Sequence, residues 1–270
     1  MGGMAHHPLA AVAEDLVASL PTPADGHRLD RPWGVLRHAG RHGRDFCNVA
    51  RVRLDPHDVE DAVAEAREWF GGLGQPEHAW WVGPSAQPGD LEARLRAAGL
   101  VPDPVQPTST AMVLTSPPDV PDRPGLEVRA LGSADELRSM LEIDAAVWGL
   151  TAEDRAHVFR DVDEHWERIS SQPGRTTYLA WLDGEPAAYG SLVLLPEGAG
   201  ALLGGSTRPE ARGRGLYQAL VRARWEAAHE AGMKGLVVQA SDMSRPVLQR
   251  LGFRPTGLIR LWAHLERRSR

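Results

Sequence analysis

Apolar positions along this chain recur with two periods, and the switches between them divide it into short elements. From Leu9 to Leu20 the spacing is helical and stops at Pro21 and Pro23. Arg31 to Gly40 and Phe46 to Leu54 alternate as strands do, and Gly40 and Gly43 between them predict a hairpin. Val59 to Phe70 returns to the helical period, opened by Asp55-Pro56 or Asp58 and stopped by Gly71-Gly72. His78 to Val82 reads as a short aromatic strand, and Asp90 to Ala98 as a helix ended by Gly99-Leu100.

Residues 116–125, with prolines at 117, 118, 121 and 124, have the composition of a stiff linker that cannot join a ladder. Beyond them Leu126 to Leu131 is a strand, and Ser133-x-x-Glu136 forms a capping box for a helix to about Trp148. Thr151-x-x-Asp154 opens a second helix to about Ile169. Tyr178 to Leu182 and Ala187 to Leu195 flank Asp183-Gly184, the signature of a tight hairpin. Leu202 to Thr207 is a strand, Leu216 to about Ala231 a helix, and 236–240 a strand. A helix after Met243 and a strand from Gly257 to Leu265 complete the series. Residues 1–7 read as a loose start and Glu266–Arg270 as a solvated basic end.

The chemistry concentrates where the strand ending at Thr207 passes through Arg212-Gly213-Arg214-Gly215 into the helix at Leu216. The first N–H groups of a helix lack partners, its dipole favours negative charge, and glycine lets a phosphate approach the backbone. Arg212 and Arg214 add two planar cationic forks. Two glycines before a helix are more often a plain tight turn, so the pair alone decides little. The chain has no G-x-x-x-x-G-K-[ST], and Arg212 to Tyr217 is not a G-x-G-x-x-G fingerprint, which removes the main support for kinase or P-loop readings.

The segment Arg208 to Leu216 resembles the pyrophosphate loop [QR]-x-x-G-x-[GA] of the GNAT superfamily of acyl-CoA-dependent N-acetyltransferases. Arg212 and Gly215 match its first and fourth positions, while Tyr217 departs from the sixth. Leu236 to Ala240, followed by Ser241 to Gly252-Phe253, is similar to the family's next block. The resemblance implies an α/β (α+β) fold with a mixed, mostly antiparallel twisted sheet flanked by helices. It implies an acetyl-CoA cosubstrate contacted by Gly205, Ser206, Thr207, Arg212, Gly213, Arg214, Gly215, Leu216, Tyr217, Ser241 and Ser244. A weaker echo joins Trp80-Trp81-Val82, Pro88 and Gly99-Leu100 to Val237-Val238, Pro246 and Gly252-Phe253. We therefore expect tandem domains: a degenerate one at 1–115 without the CoA loop, the linker 116–125, and a CoA-binding one at 126–270.

The family's tyrosine acid falls at Leu248, which cannot protonate a thiolate. Ser244, Tyr217 or water remain as substitutes. For the base, Asp242 stands at the end of a strand, and Glu142 and Asp144 lie late on the helix before Trp148, although such carboxylates are usually solvated surface. Trp148, Trp166, Tyr178, Trp181 and Tyr189 are candidates to line an acceptor pocket or simply to fill the core.

Composition narrows the field further. A chain of 270 residues suits two domains, and a net charge of −6 argues against a general nucleic-acid binder. The one cysteine, Cys47, excludes an intramolecular disulfide or a Cys-rich metal site, and no metal is expected. No apolar run reaches a membrane helix, and the acidic pair Glu14-Asp15 breaks any signal-like stretch, so a cytoplasmic protein with no membrane partner is expected. The expected activity is transfer of an acetyl group to a primary amine, on a small molecule or a peptide. An oligomer is compatible with the sequence. The competing reading is a non-catalytic acyl-CoA sensor or partner module, motivated by Leu248.

Overall fold

The computed structural model describes residues 8–41 and 43–266. The loose start at 1–7 and the end of the basic tail lie outside them. In chain order the elements are α1 (Pro8–Glu14), α2 (Leu16–Ser19), β1 (His27–Arg31), β2 (Gly34–His38), β3 (Cys47–Ala50), α3 (Val59–Gly72), β4 (His78–Val82), α4 (Leu91–Ala97), β5 (Val101–Pro102) and β6 (Thr108–Leu114). There follow β7 (Leu126–Ala130), α5 (Ala134–Trp148), α6 (Ala152–Val158), α7 (Val162–Ser170), β8 (Arg175–Leu182), β9 (Glu185–Leu195), β10 (Ala199–Thr207), α8 (Leu216–Glu230), β11 (Leu236–Ala240), α9 (Arg245–Arg250) and β12 (Arg254–His264). Among the described residues no helix is long and apolar enough to cross a membrane.

The chain forms two compact units that do not simply follow one another in sequence. The first takes the chain up to Val113, then Gln239–Pro246 and the stretch from Pro255 onward; the second takes Leu114–Val238 and Val247–Arg254. In the first unit the strands run β1-β2-β3-β4-β12-β6, so the C-terminal strand is interior to the N-terminal sheet. Only β3 and β4 pair parallel among the first five of these, with Asn48 opposite Ala79 and Val49 opposite Trp80. Helix α3 turns Val59, Ala62, Val63, Ala66 and Phe70 inward at helical spacing, against Trp80, Leu91, Leu95 and Trp262. Burying a side chain such as Phe70 contributes about 1.5–3 kcal/mol.

In the second unit the order is β11-β10-β9-β8-β7, antiparallel except for β10 beside β11. Asp183 and Gly184 both take positive φ (53° and 88°), the two-residue turn that the Asp-Gly pair predicts. Helix α8 lays Leu216 and Leu220 on Ala180, Ala187 and Ala188. On α5, Leu137 and Leu141 pack against Val162, Trp166 and Ile169. Both units are mixed, mostly antiparallel sheets with flanking helices, as expected.

Several boundaries differ from the sequence reading. Strand β1 was not expected, because four of its five residues are polar and it sits exposed at the sheet edge beside β2. The hairpin partner of β3 is therefore Gly34–His38, and the chain reverses at Pro32-Trp33 before it. The single helix expected from Thr151 is two, α6 and α7, separated near Arg160. Residues 116–125 contain no regular element, yet they are held down: Arg222 of α8 donates to the Val120 carbonyl (2.9 Å) and to Asp122 (2.7 Å).

Candidate active site

The second unit opens where two parallel strands part. β10 pairs with β11 only at Gly200–Leu236 and Ala201–Val237. Past that point β10 breaks register with β9 between Leu203 and Ser206, a bulge that contains Gly204 (φ 60°) and Gly205 (φ 126°). Both glycines are exposed, and their left-handed backbone strongly favours glycine. A Cβ placed at Gly205 would lie 3.7 Å from the ring edge of Tyr217 and from the Tyr189 carbonyl; one at Gly204 would lie 3.7 Å from the Tyr189 ring. The bulge is thus an exposed piece of backbone framed by two tyrosines.

From Thr207 the chain passes through a short turn at Pro209–Ala211, pinned by Arg208 N–H to the Ala187 carbonyl (2.9 Å) and by burial of Ala211. Gly213 (φ 76°) and Gly215 (φ 88°) then swing it into α8, whose first turn carries no acidic residue. The leading N–H groups of this fifteen-residue helix carry the positive end of its dipole, with no acidic side chain there to offset it. Arg212 is exposed and has no ion-pair partner among the described residues. Arg214 reaches Asp183 at 3.2 Å, a solvent-exposed pair of little energetic weight. A third cation comes from the segment before β7: a side chain at Gly215 would collide with Arg123, which lies over the loop.

Behind the loop, burial pushes the Tyr217 phenol above the ordinary range, against the opposing pull of the Arg224 charge. Arg224, two turns along the same helix face, is fully buried. It donates to the Leu220 carbonyl (2.9 Å) and the Ser191 carbonyl (3.3 Å), and burial pulls its guanidinium down to about 10. It remains a cation at neutral pH.

On the other side of the bulge three polar side chains converge. The Tyr189 hydroxyl donates to both oxygens of Asp144 at 2.7 Å, and the Ser206 hydroxyl donates to Asp144 Oδ1 at 2.9 Å. They come from β9, the end of β10 and the last turns of α5, so no local motif announces them. Glu142, the neighbouring candidate on α5, is instead tied to Arg155 at 2.7–2.8 Å.

Of the predicted site residues, Gly205, Ser206, Thr207, Glu142 and Arg212 through Tyr217 belong to the second unit, whereas Ser241, Asp242 and Ser244 group with the first. Locally these last form a helix cap: Ser241 Oγ accepts from the Ser244 N–H (3.4 Å), Ser244 Oγ donates to the Ser241 carbonyl (3.3 Å), and Asp242 pairs with Arg245 (3.2 Å). Leu248 is completely buried.

The first unit repeats the strand–helix–strand plan at β3, α3 and β4, but its parting is closed. Leu54 N–H donates to the Gln87 carbonyl and Gln87 N–H to the Val52 carbonyl, both at 3.1 Å. Glu14 accepts from the Ser85 N–H (2.7 Å) and hydroxyl (3.0 Å) beside them. Residues 51–58, between the strand and the helix, contain no glycine. Cys47 is buried, which raises its thiol to about 11 and leaves it inert.

No curated protein sequence matches the chain. Solved structures do. A GCN5-related N-acetyltransferase from Kribbella flavida is 16% identical, covers 97% of both chains and has a TM-score of 0.71. A tandem GNAT protein from the clavulanic acid biosynthesis pathway is 21% identical over 93% of this chain and 87% of its own, with a TM-score of 0.61. A GCN5-related N-acetyltransferase from Sphaerobacter thermophilus is 17% identical over 87% and 82%, with a TM-score of 0.57. At these identities the likeness is one of fold, extending over both units. The model of the acetyltransferase (GNAT) family matches residues 137–253, a span that contains the bulge, the arginine–glycine loop and α8. Residues 137–253 match the acetyltransferase (GNAT) family, in a chain whose fold over both units is similar to that of GNAT structures, a tandem GNAT protein among them.

Proposed function

We propose that the second unit is an acetyl-CoA-dependent N-acetyltransferase acting on a primary amine, and that the first unit binds no CoA. The observation that carries this reading is the parting of β10 from β11 at a Gly204-Gly205 bulge that leads directly to the Arg212–Gly215 turn and the N-terminus of α8. The residues suit the cosubstrate. Exposed backbone at Gly204 and Gly205 offers peptide groups to the amides of a pantetheine arm. The N–H groups of Gly213 to Tyr217, with Arg212, Arg214 and Arg123, offer donors and charge to a pyrophosphate. Ser206 contributes through its main chain, since its hydroxyl is committed to Asp144.

When bound, acetyl-CoA supplies an activated acyl group; this chain supplies binding, orientation and proton handling. A buried leucine at position 248 provides no acid, and Tyr217, a phenol made less acidic by burial, is a poor substitute for protonating a thiolate. An ordinary thiol has a pKa of about 8.5, so the departing sulfur needs little help at neutral pH, and a missing acid costs at most about 10²–10⁴ in rate. Slow but real turnover is the expectation.

Thiol release from acetyl-CoA over a panel of primary amines tests the proposal. Release that depends on the amine supports it. Tight CoA binding with no release from any amine supports the sensor reading that Leu248 favours. Gly215→Asp forces a side chain into Arg123 at a φ of 88° and sets a carboxylate at the anion site. It should abolish CoA binding, and retention of wild-type affinity would place the cosubstrate elsewhere.

A further inference from the structure

Asp144 is a half-buried carboxylate without a basic partner among the described residues. Of the other carboxylates on the helix, Glu142 is paired with Arg155 and Glu136 with Arg129, and Asp135 is exposed to solvent. Asp144 has only two hydroxyl donors, from Tyr189 and Ser206, and no arginine, lysine or histidine pairs with it among the described residues. It is half-buried, and it sits in the last turns of α5, where the helix dipole adds further negative potential. A partly desolvated carboxylate with no counter-ion draws in a cation.

Two neighbouring features indicate which cation. The Tyr189 ring that holds Asp144 also borders the Gly204 bulge, so the carboxylate is one side chain away from the exposed backbone of the parting. Trp148, one turn beyond Asp144 on the same face of α5, is 70% exposed. A carboxylate and an exposed indole one helical turn apart match an organic ammonium with an apolar body.

We propose that Asp144 receives the ammonium of the acceptor and acts as its base, that Tyr189 and Ser206 position it, and that the acceptor is a cationic primary amine whose apolar portion lies on Trp148. This rests on the acetyltransferase reading above. The first nitrogen proton passes to Asp144 and leaves a neutral amine. Its lone pair forms the C–N bond to the thioester carbonyl carbon, and the C–S bond breaks. The second nitrogen proton passes through water to the departing sulfur, and Asp144 returns its own to solvent. The products are an amide, a free thiol and one proton, and no separate acid is required, consistent with a leucine at position 248.

Phenethylamine and its neutral isostere 2-phenylethanol probe the site. The experiment begins with CoA binding to the wild type; absence of binding overturns the acetyltransferase reading and this proposal with it. With CoA bound, calorimetry should show phenethylamine binding and no 2-phenylethanol binding. Asp144→Asn should weaken the amine at least tenfold and leave CoA affinity within twofold. Trp148→Ala should raise KM for the amine several-fold with little change in kcat. In turnover, the Asp144→Asn deficit should shrink at least tenfold between pH 7 and pH 9.5, as the amine loses its proton to bulk solvent instead. Tyr189→Phe, which keeps the ring and removes one donor, should lower kcat and alter the same pH profile. Wild-type amine affinity in Asp144→Asn, or a deficit that does not change with pH, overturns the proposal while leaving the acetyltransferase reading intact. So does a CoA-loaded wild type that binds neither probe.

Discussion

Single residues set the tolerances of this fold. Gly190 stands opposite the buried guanidinium of Arg224, and a Cβ there would come within 2.7 Å of Arg224 Nη1. The helix α8 and the strand β9 can approach only because that position has no side chain. Gly190→Ala should cost about 1–3 kcal/mol, the range for overpacking a filled core, measured by denaturant unfolding. A neutral result would mean the guanidinium can shift into spare room. His78 makes a second prediction, about pH. It is completely buried between Phe70 and His264, and burial, with His264 contributing, lowers its pKa to about 3. The unfolded chain takes up that proton near pH 6.5 and the folded chain does not. Stability from this group is therefore intact above about 6.5 and falls progressively down to about 3, by about 2 kcal/mol at pH 5. His78→Leu should flatten the decline between pH 7.5 and pH 5 by that amount; an unchanged slope would assign the decline to other groups.

At the scale of elements, what could be read from sequence depended on whether the signal was local. Helix α5 was legible because Ser133 caps it in place: its hydroxyl accepts from the Glu136 N–H at 3.2 Å. The other half of the motif is displaced, for the Glu136 carboxylate takes the Gly132 N–H (2.7 Å) and Arg129 instead of the cap's own N–H. Ser133→Ala should lower stability by about 1 kcal/mol without changing CoA affinity, since it loosens only the start of α5. A loss of CoA binding in that variant would tie the start of α5 to the site. Strand β6 was missed because Ala111-Met112-Val113-Leu114 neither alternates nor carries a turn signal before the proline-rich stretch. The turn at Arg212–Gly215 into α8 was legible through its arginines and glycines, whereas the bulge at Gly204–Gly205 was not, because residues 202–207 read as a plain strand. The Asp144–Tyr189–Ser206 cluster was not. Its members are 45 and 17 positions apart, and only the folding of β9 and β10 alongside α5 brings the hydroxyls to the carboxylate.

For the whole molecule, the order of residues and the order of packing diverge at the C-terminus. β12 pairs with β4 from Arg260–Val82 to His264–His78, and the Leu261 N–H donates to the Pro107 carbonyl on its other side. A fragment ending at residue 115 would lack this interior strand and expose the facing edges of β4 and β6. It should be insoluble or lack a cooperative melting transition; a cleanly folded 1–115 fragment would show that β12 is dispensable to the first unit. The central claim concerns the second unit, and thermal unfolding of the intact chain with CoA tests it most directly. Protein freed of copurified nucleotide should be stabilised by about 2.7 kcal/mol at a CoA concentration of about 100 times Kd. Gly215→Asp should show no shift. An unchanged melting temperature in the wild type at millimolar CoA would contradict the assignment of residues 204–217 as the cosubstrate site.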